Sequence, residues 1–220
     1  LFGDNGCGKS TVIEASSGLI PLDSGSVHIN NKLIRDSEGR RGRSNFGLCL
    51  QSDCVMGDEI VGERILDAAG KNFDPAPLLK KWGLDHRIED RVASLSGGQR
   101  RKLAVLSGII PALVSSEKKA ILLDEPDSGL DENSVKLLSE TLRNLAAGGH
   151  SVLIASHNPE IVKSADKVVR FPFELTENEC KKGVYSQIEG TSDRNSLIGH
   201  RLNVRTLAGL ANNAIVGLII

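Results

Sequence analysis

Residues 3–10 read GDNGCGKS and match the spacing G-x-x-x-x-G-K-[ST]. No other part of the chain limits the fold as tightly. The pattern works only where a buried parallel strand turns into a helix, so that backbone N–H groups converge on phosphate oxygens. Gly3, Gly6 and Gly8 let that backbone bend, and Asp4, Asn5 and Cys7 complete the loop. Lys9 is expected to reach the β- and γ-phosphates, and Ser10 to place its hydroxyl on Mg²⁺. Thr11 is expected to hold the α-phosphate or to cap the helix.

The remaining pattern alternates strands and helices. Helices are expected at 9–17, 58–69, 76–82, 97–114 and 132–147, the last with Val135, Leu138, Leu142 and Leu145 on one face. Strands are expected at 26–34, 46–50, 120–123, 151–155 and 167–171. The continuous apolar run at 120–123 is what a parallel sheet demands. The fold class is therefore α/β, a parallel-sheet phosphate-loop domain with a small antiparallel piece near 26–34 and a helical insert. Residues 36–45, with Arg40, Arg41 and Arg43, read as a solvated loop.

Two carboxylates end the strand in ILLDEP. Asp124 suits Mg²⁺, which prefers a carboxylate together with waters and phosphates. Glu125 suits the base that orients and polarises an attacking water. The loss of strand alternation at this point lets one acid face the metal and the other the water. Further on, Ser96, Gly97 and Gly98 of LSGGQ offer a hydroxyl and bare N–H groups at a helix start, which makes a second anion site.

The loop at 3–10, Gln51, LSGGQ at 95–99, ILLDEP at 121–126 and His157, in that order, resemble the nucleotide-binding domain of ABC ATPases. The resemblance covers roughly residues 1–173. It implies the fold of that family, Mg-dependent ATP hydrolysis, and ATP with Mg²⁺ as cofactors. It also implies a second ATP-binding domain as partner, in a homo- or heterodimer, because the signature Ser96, Gly97, Gly98 and Gln99 serves the opposite subunit's nucleotide. Gln51 takes the family's Q-loop place among the metal-side residues, beside Ser10 and Asp124. Asp131, in DSGLD, takes the D-loop place, and His157 that of the switch histidine that donates to the γ-phosphate. The helical subdomain at 51–95 is short, and residues 111–119 look like an added polar loop. Leu1 is not Met and the loop begins two residues later, so the chain reads as a fragment without its first strands and without the aromatic residue that stacks on adenine.

Charge then narrows the partners. With 27 basic against 28 acidic residues and a net charge of −1, the chain gives no argument for nucleic acid. Cys7, Cys49, Cys54 and Cys180 form no metal spacing and read as reduced thiols. Residues 174–205 read as a linker. Residues 206–220 (TLAGLANNAIVGLII) carry no charge and follow Arg201 and Arg205, so they read as the start of a transmembrane helix in a C-terminally fused permease. The expectation is an ATP-hydrolysing transporter domain on the cytoplasmic face of the membrane. The alternative is a soluble member of the same family acting in DNA repair or on ribosomes.

Overall fold

The structure is a computed structural model that describes residues 1–43, 45–52, 55, 57–171 and 216–219, with Phe171 and 216–219 given by backbone alone. Strand β1 (Phe2–Gly3) leads into helix α1 (Lys9–Ser16). Strands β2 (Ser26–Ile29) and β3 (Lys32–Asp36) form an antiparallel hairpin. The sequence reads this stretch as a single strand, and that is corrected here. Asn30 and Asn31 stand at φ 52° and 60°, the left-handed pair that a two-residue hairpin turn needs. The Asn-Asn pair was the local signal.

Strand β4 (Gly47–Cys49) follows, then helices α2 (Val61–Ala69), α3 (Ala76–Lys81) and α4 (Gly97–Leu113). Helix α4 runs through Pro111, so residues 111–113 belong to it and not to the added loop. Strand β5 (Ala120–Asp124), helix α5 (Glu132–Ala147), strand β6 (Ser151–Ala155), helix α6 (Pro159–Ser164) and strand β7 (Arg170–Phe171) complete the domain. Strand β8 (Val216–Ile219) pairs antiparallel with β2. Over those four residues the backbone is strand where a helix is expected. Residues 172–215 and 220, with the expected linker and most of the expected membrane segment, lie outside the described residues. So do Cys54 and Cys180. Among the described residues no helix is long and apolar enough to cross a membrane.

The central sheet is parallel. β5 pairs with β4 on one side and β6 on the other, and β1 pairs with β7. Leu1 joins the two groups. Its amino group donates to Ile154 O at 2.5 Å, and Ser156 N donates to Leu1 O at 3.2 Å. The resulting order is β4-β5-β6-β1-β7. Pleat alternation divides β5 between two cores. Ile121 and Leu123 pack with the α2, α4 and α5 side, while Ala120 and Leu122 pack with α1 and the hairpin. Each such fully buried Leu or Ile contributes about 1.5–3 kcal/mol. Asp124 continues the Ala120–Leu122 parity, which brings it to the α1 side, beneath the loop of residues 4–8.

Candidate nucleotide site

The loop between β1 and α1 is shaped by two left-handed glycines, Gly6 at φ 81° and Gly8 at φ 101°. No atom comes within 4 Å of where a Cβ on either would stand. Gly8 is the N-cap of α1. Thr11, three residues into the turn, is exposed and is not the cap, which corrects one of its two expected roles. The first N–H of α1 to meet a carbonyl of the same turn is that of Val12, on Gly8 O at 3.1 Å. The N–H groups before it are the free donors of a helix start and favour an anion. Lys9 is buried, and its ammonium donates to Gly3 O at 2.7 Å and Asp4 O at 2.9 Å, 3.8 Å from Cys7 Sγ. Asp4 and Asn5 lie exposed at the outer turn.

Asp124 of the acid pair faces this loop. Asp124 is 2% exposed, and its Oδ1 has no hydrogen-bond partner among the described residues. Burial pushes its pKa up, opposed by a hydrogen bond from Ser10, with Glu125 adding to the rise and Arg101 and Lys9 opposing it. A buried carboxylate oxygen left open beside a serine hydroxyl is the hard-oxygen set that Mg²⁺ takes. Among the described residues no group of three or more His, Cys, Asp and Glu forms a metal cage. Mg²⁺ commonly does without one, since nucleotide phosphates and waters supply the rest of its shell.

Glu125 stands at φ +43°, a left-handed conformation that costs a non-glycine residue about 1–3 kcal/mol. Its carboxylate meets two groups from the segments that follow β4 and β6. Gln51 Nε2 donates to Glu125 Oε2 at 3.3 Å, and His157 Nδ1 lies 3.6 Å from Oε1. That second distance is too long for a hydrogen bond and short enough for a charge pair when the ring is protonated. The structure therefore brings Gln51, Glu125 and His157 together, and Asp124 with Ser10 beside them.

The signature lies apart. Ser96 and Gln99 form a capping box: Gln99 N donates to Ser96 Oγ at 3.3 Å, and Ser96 N to Gln99 Oε1 at 2.9 Å. Ser96 and Gly97 are exposed. Among the described residues no hydrogen bond or ion pair joins residues 96–99 to the phosphate loop. Gly98 lies beneath the DSGLD turn, where a Cβ would stand 3.2 Å from Gly129 O. Asp131 caps α5 through Ser134 N at 2.9 Å and Ser134 Oγ at 2.9 Å, and pairs with Lys102 at 3.0 Å. These bonds, led by the backbone one, hold its carboxyl at about 2.

Sequence reasoning missed Arg101. It is 4% exposed, and its guanidinium reaches the ends of both β4 and β5. One signal was available. Arg101 falls on a buried helical stripe with Val105, Gly108 and Ala112, the one charge among small or apolar residues.

A helix-start phosphate cradle beside a buried carboxylate at the end of a parallel strand defines the class: a phosphate-loop nucleotide-binding domain. Comparison with known proteins narrows it. The family described as ABC transporter matches residues 1–128. The chain is 26% identical over 181 residues to the macrolide export ATP-binding/permease protein MacB of Psychrobacter cryohalolentis, covering 77% of this chain and 26% of that protein. It is 31% identical over 165 residues to the Nod factor export ATP-binding protein I of Burkholderia orbicola, covering 71% of this chain and 52% of that protein. A solved ATP-binding subunit of an ABC transporter superposes with a TM-score of 0.57 at 24% identity, covering 71% of this chain and 66% of that one, and supports the fold. The chain belongs to the ABC transporter family, as its ATP-binding domain. It spans a quarter to about half the length of the two curated relatives named here.

Proposed function

We propose that this chain hydrolyses ATP at an interface with a second ATP-binding domain, at the cytoplasmic face of a membrane, and that closure of the interface moves a permease. The observation that carries the chemistry is the convergence of Gln51 and His157 on the two oxygens of Glu125, beside the open oxygen of Asp124. In this reading Gly3, Asp4, Asn5, Gly6, Cys7 and Gly8 shape the cradle, and the helix-start N–H groups through Thr11, with Lys9, bind phosphate. Ser10, Gln51 and Asp124 would hold Mg²⁺, which when bound neutralises charge on the β- and γ-phosphates. Glu125 polarises the attacking water, with Gln51 linking its carboxylate to the metal side. His157 donates to the γ-phosphate as negative charge builds there.

The exposed start of α4 supports a role in trans. Ser96 and Gly97 present a capped helix end to solvent, with Gly98 and Gln99 half-buried behind them and Asp131 nearby. A partner's γ-phosphate at that end completes the partner's site. The two curated relatives are both named as export proteins, which supports a membrane partner, fused or separate. No nucleic-acid partner is expected from the near-zero net charge.

Glu125→Gln tests the central assignment. The variant keeps ATP affinity, while turnover falls at least about a hundredfold, as loss of a general base predicts. Bound-nucleotide and phosphate-release assays on the same sample read both. Near-normal phosphate release would remove Glu125 from its role.

A further inference from the structure

Arg101 lies on α4, one turn beyond the signature, yet it donates to four carbonyls at the candidate hydrolytic site. Nη1 donates to Leu50 O at 2.8 Å and to Gln51 O at 3.1 Å. Nη2 donates to Asp124 O at 2.9 Å and to Glu125 O at 2.7 Å. One guanidinium thus ties the ends of two neighbouring strands by consecutive carbonyls of each. In an extended strand consecutive carbonyls point opposite ways, so no single nitrogen reaches both. Both segments have left the extended conformation here: Nη1 meets Leu50 O and Gln51 O, and at Glu125, where the backbone is left-handed, Nη2 meets Asp124 O and Glu125 O. The strained residue and the buried cation are geometrically matched. The strain persists only while its surroundings enforce it.

We propose that Arg101 is a positioning residue for hydrolysis: by clamping the backbones of Gln51 and Glu125 it fixes the distance between the Gln51 amide and the Glu125 carboxylate, and so the place where water is polarised. The proposal rests on Glu125 being the base. The planar fork of Arg101 spans the two strands, whereas a lysine nitrogen is a single point on a flexible stem. Helix α4 is also seated hard on β4, where a Cβ on Gly108 would meet Leu48 O at 2.9 Å, so the helix cannot slide to accommodate a shorter reach.

The test is Arg101→Lys in the intact protein, alone and combined with E125Q, with ATP affinity and single-turnover hydrolysis measured for each. We expect R101K to bind ATP within about threefold of the parent while hydrolysis falls about 10- to 100-fold, the scale of a misplaced reacting group. On the E125Q background the same change should cost under about threefold, because residues that act as a unit are not additive. A loss of the same factor on both backgrounds, or equal losses of affinity and rate, would make Arg101 a packing residue and overturn the proposal while leaving Glu125 as base. Fast hydrolysis by E125Q alone would overturn the base assignment and this proposal together. Should R101K fail to accumulate in folded form, R101Q is read by the same criteria, since its amide also cannot span both strands.

Discussion

Lys119 donates its backbone N–H to His150 Nδ1 at 3.1 Å, a bond the ring accepts only while that nitrogen is unprotonated. Burial first, then Lys118 and Lys119, hold the His150 pKa below its ordinary value. The fold therefore favours the neutral ring. That contribution is complete above the unfolded-state value of about 6.5 and is lost as pH falls through the lower folded value. Urea midpoints measured between about pH 7.5 and pH 5 should drop, and His150→Asn should flatten the drop. Identical slopes for parent and variant would show that His150 is not the sensor. At this scale much of the candidate site was legible, because Gly3 to Ser10, Asp124 and Glu125 sit in short local patterns and His157 has its place in the family's order of motifs. Arg101 and the left-handed turn at Glu125 were not, because both are defined by partners some 23 to 51 positions away.

Helix α4 carries two glycine environments that separate packing from chemistry. A Cβ on Gly108 would stand 2.9 Å from Leu48 O and 3.0 Å from Cys49 Cβ, and one on Gly47 would stand 2.0 Å from Gly108 O. Around Gly97 the corresponding space is open. Gly108→Ala should destabilise by about 1–3 kcal/mol through overpacking. Gly97→Ala should leave stability within about 0.5 kcal/mol, yet lower hydrolysis if that backbone serves a partner's phosphate. Denaturation midpoints and ATPase rates for the pair decide it, and a stable Gly108→Ala would refute the close-contact account. Helices α4 and α5 were read well because their starts are marked chemically, by the caps Ser96 and Asp131, whereas the short α6 was not read although Asn158 caps it. The hairpin was missed because Asn-Asn is a weaker turn signal than Asn-Gly, although it supplies the same left-handed pair.

An assembly of two copies makes a prediction that neither residues nor elements make alone. If each site joins one copy's phosphate loop to the other copy's signature, where the lesions sit decides the outcome. Lys9→Ala in one copy and Ser96→Arg in the other place both lesions in a single site and leave the second whole. The same two changes in one copy, paired with an unaltered copy, spoil both sites. Mixed dimers purified by two different tags should therefore keep about half the activity in the first arrangement and almost none in the second. The reverse ranking would mean that each chain works alone. The sheet order was not legible, since no residue pattern announces that β6 lies between β5 and β1. Its consequence is dimensional. Two interstrand steps, about 10 Å in all, separate the strand that launches the phosphate loop from the strand that ends in the acids. That interval is a gauge cut by main-chain hydrogen bonds. Drift in sequence can resurface the walls of the groove, but it leaves their separation unchanged.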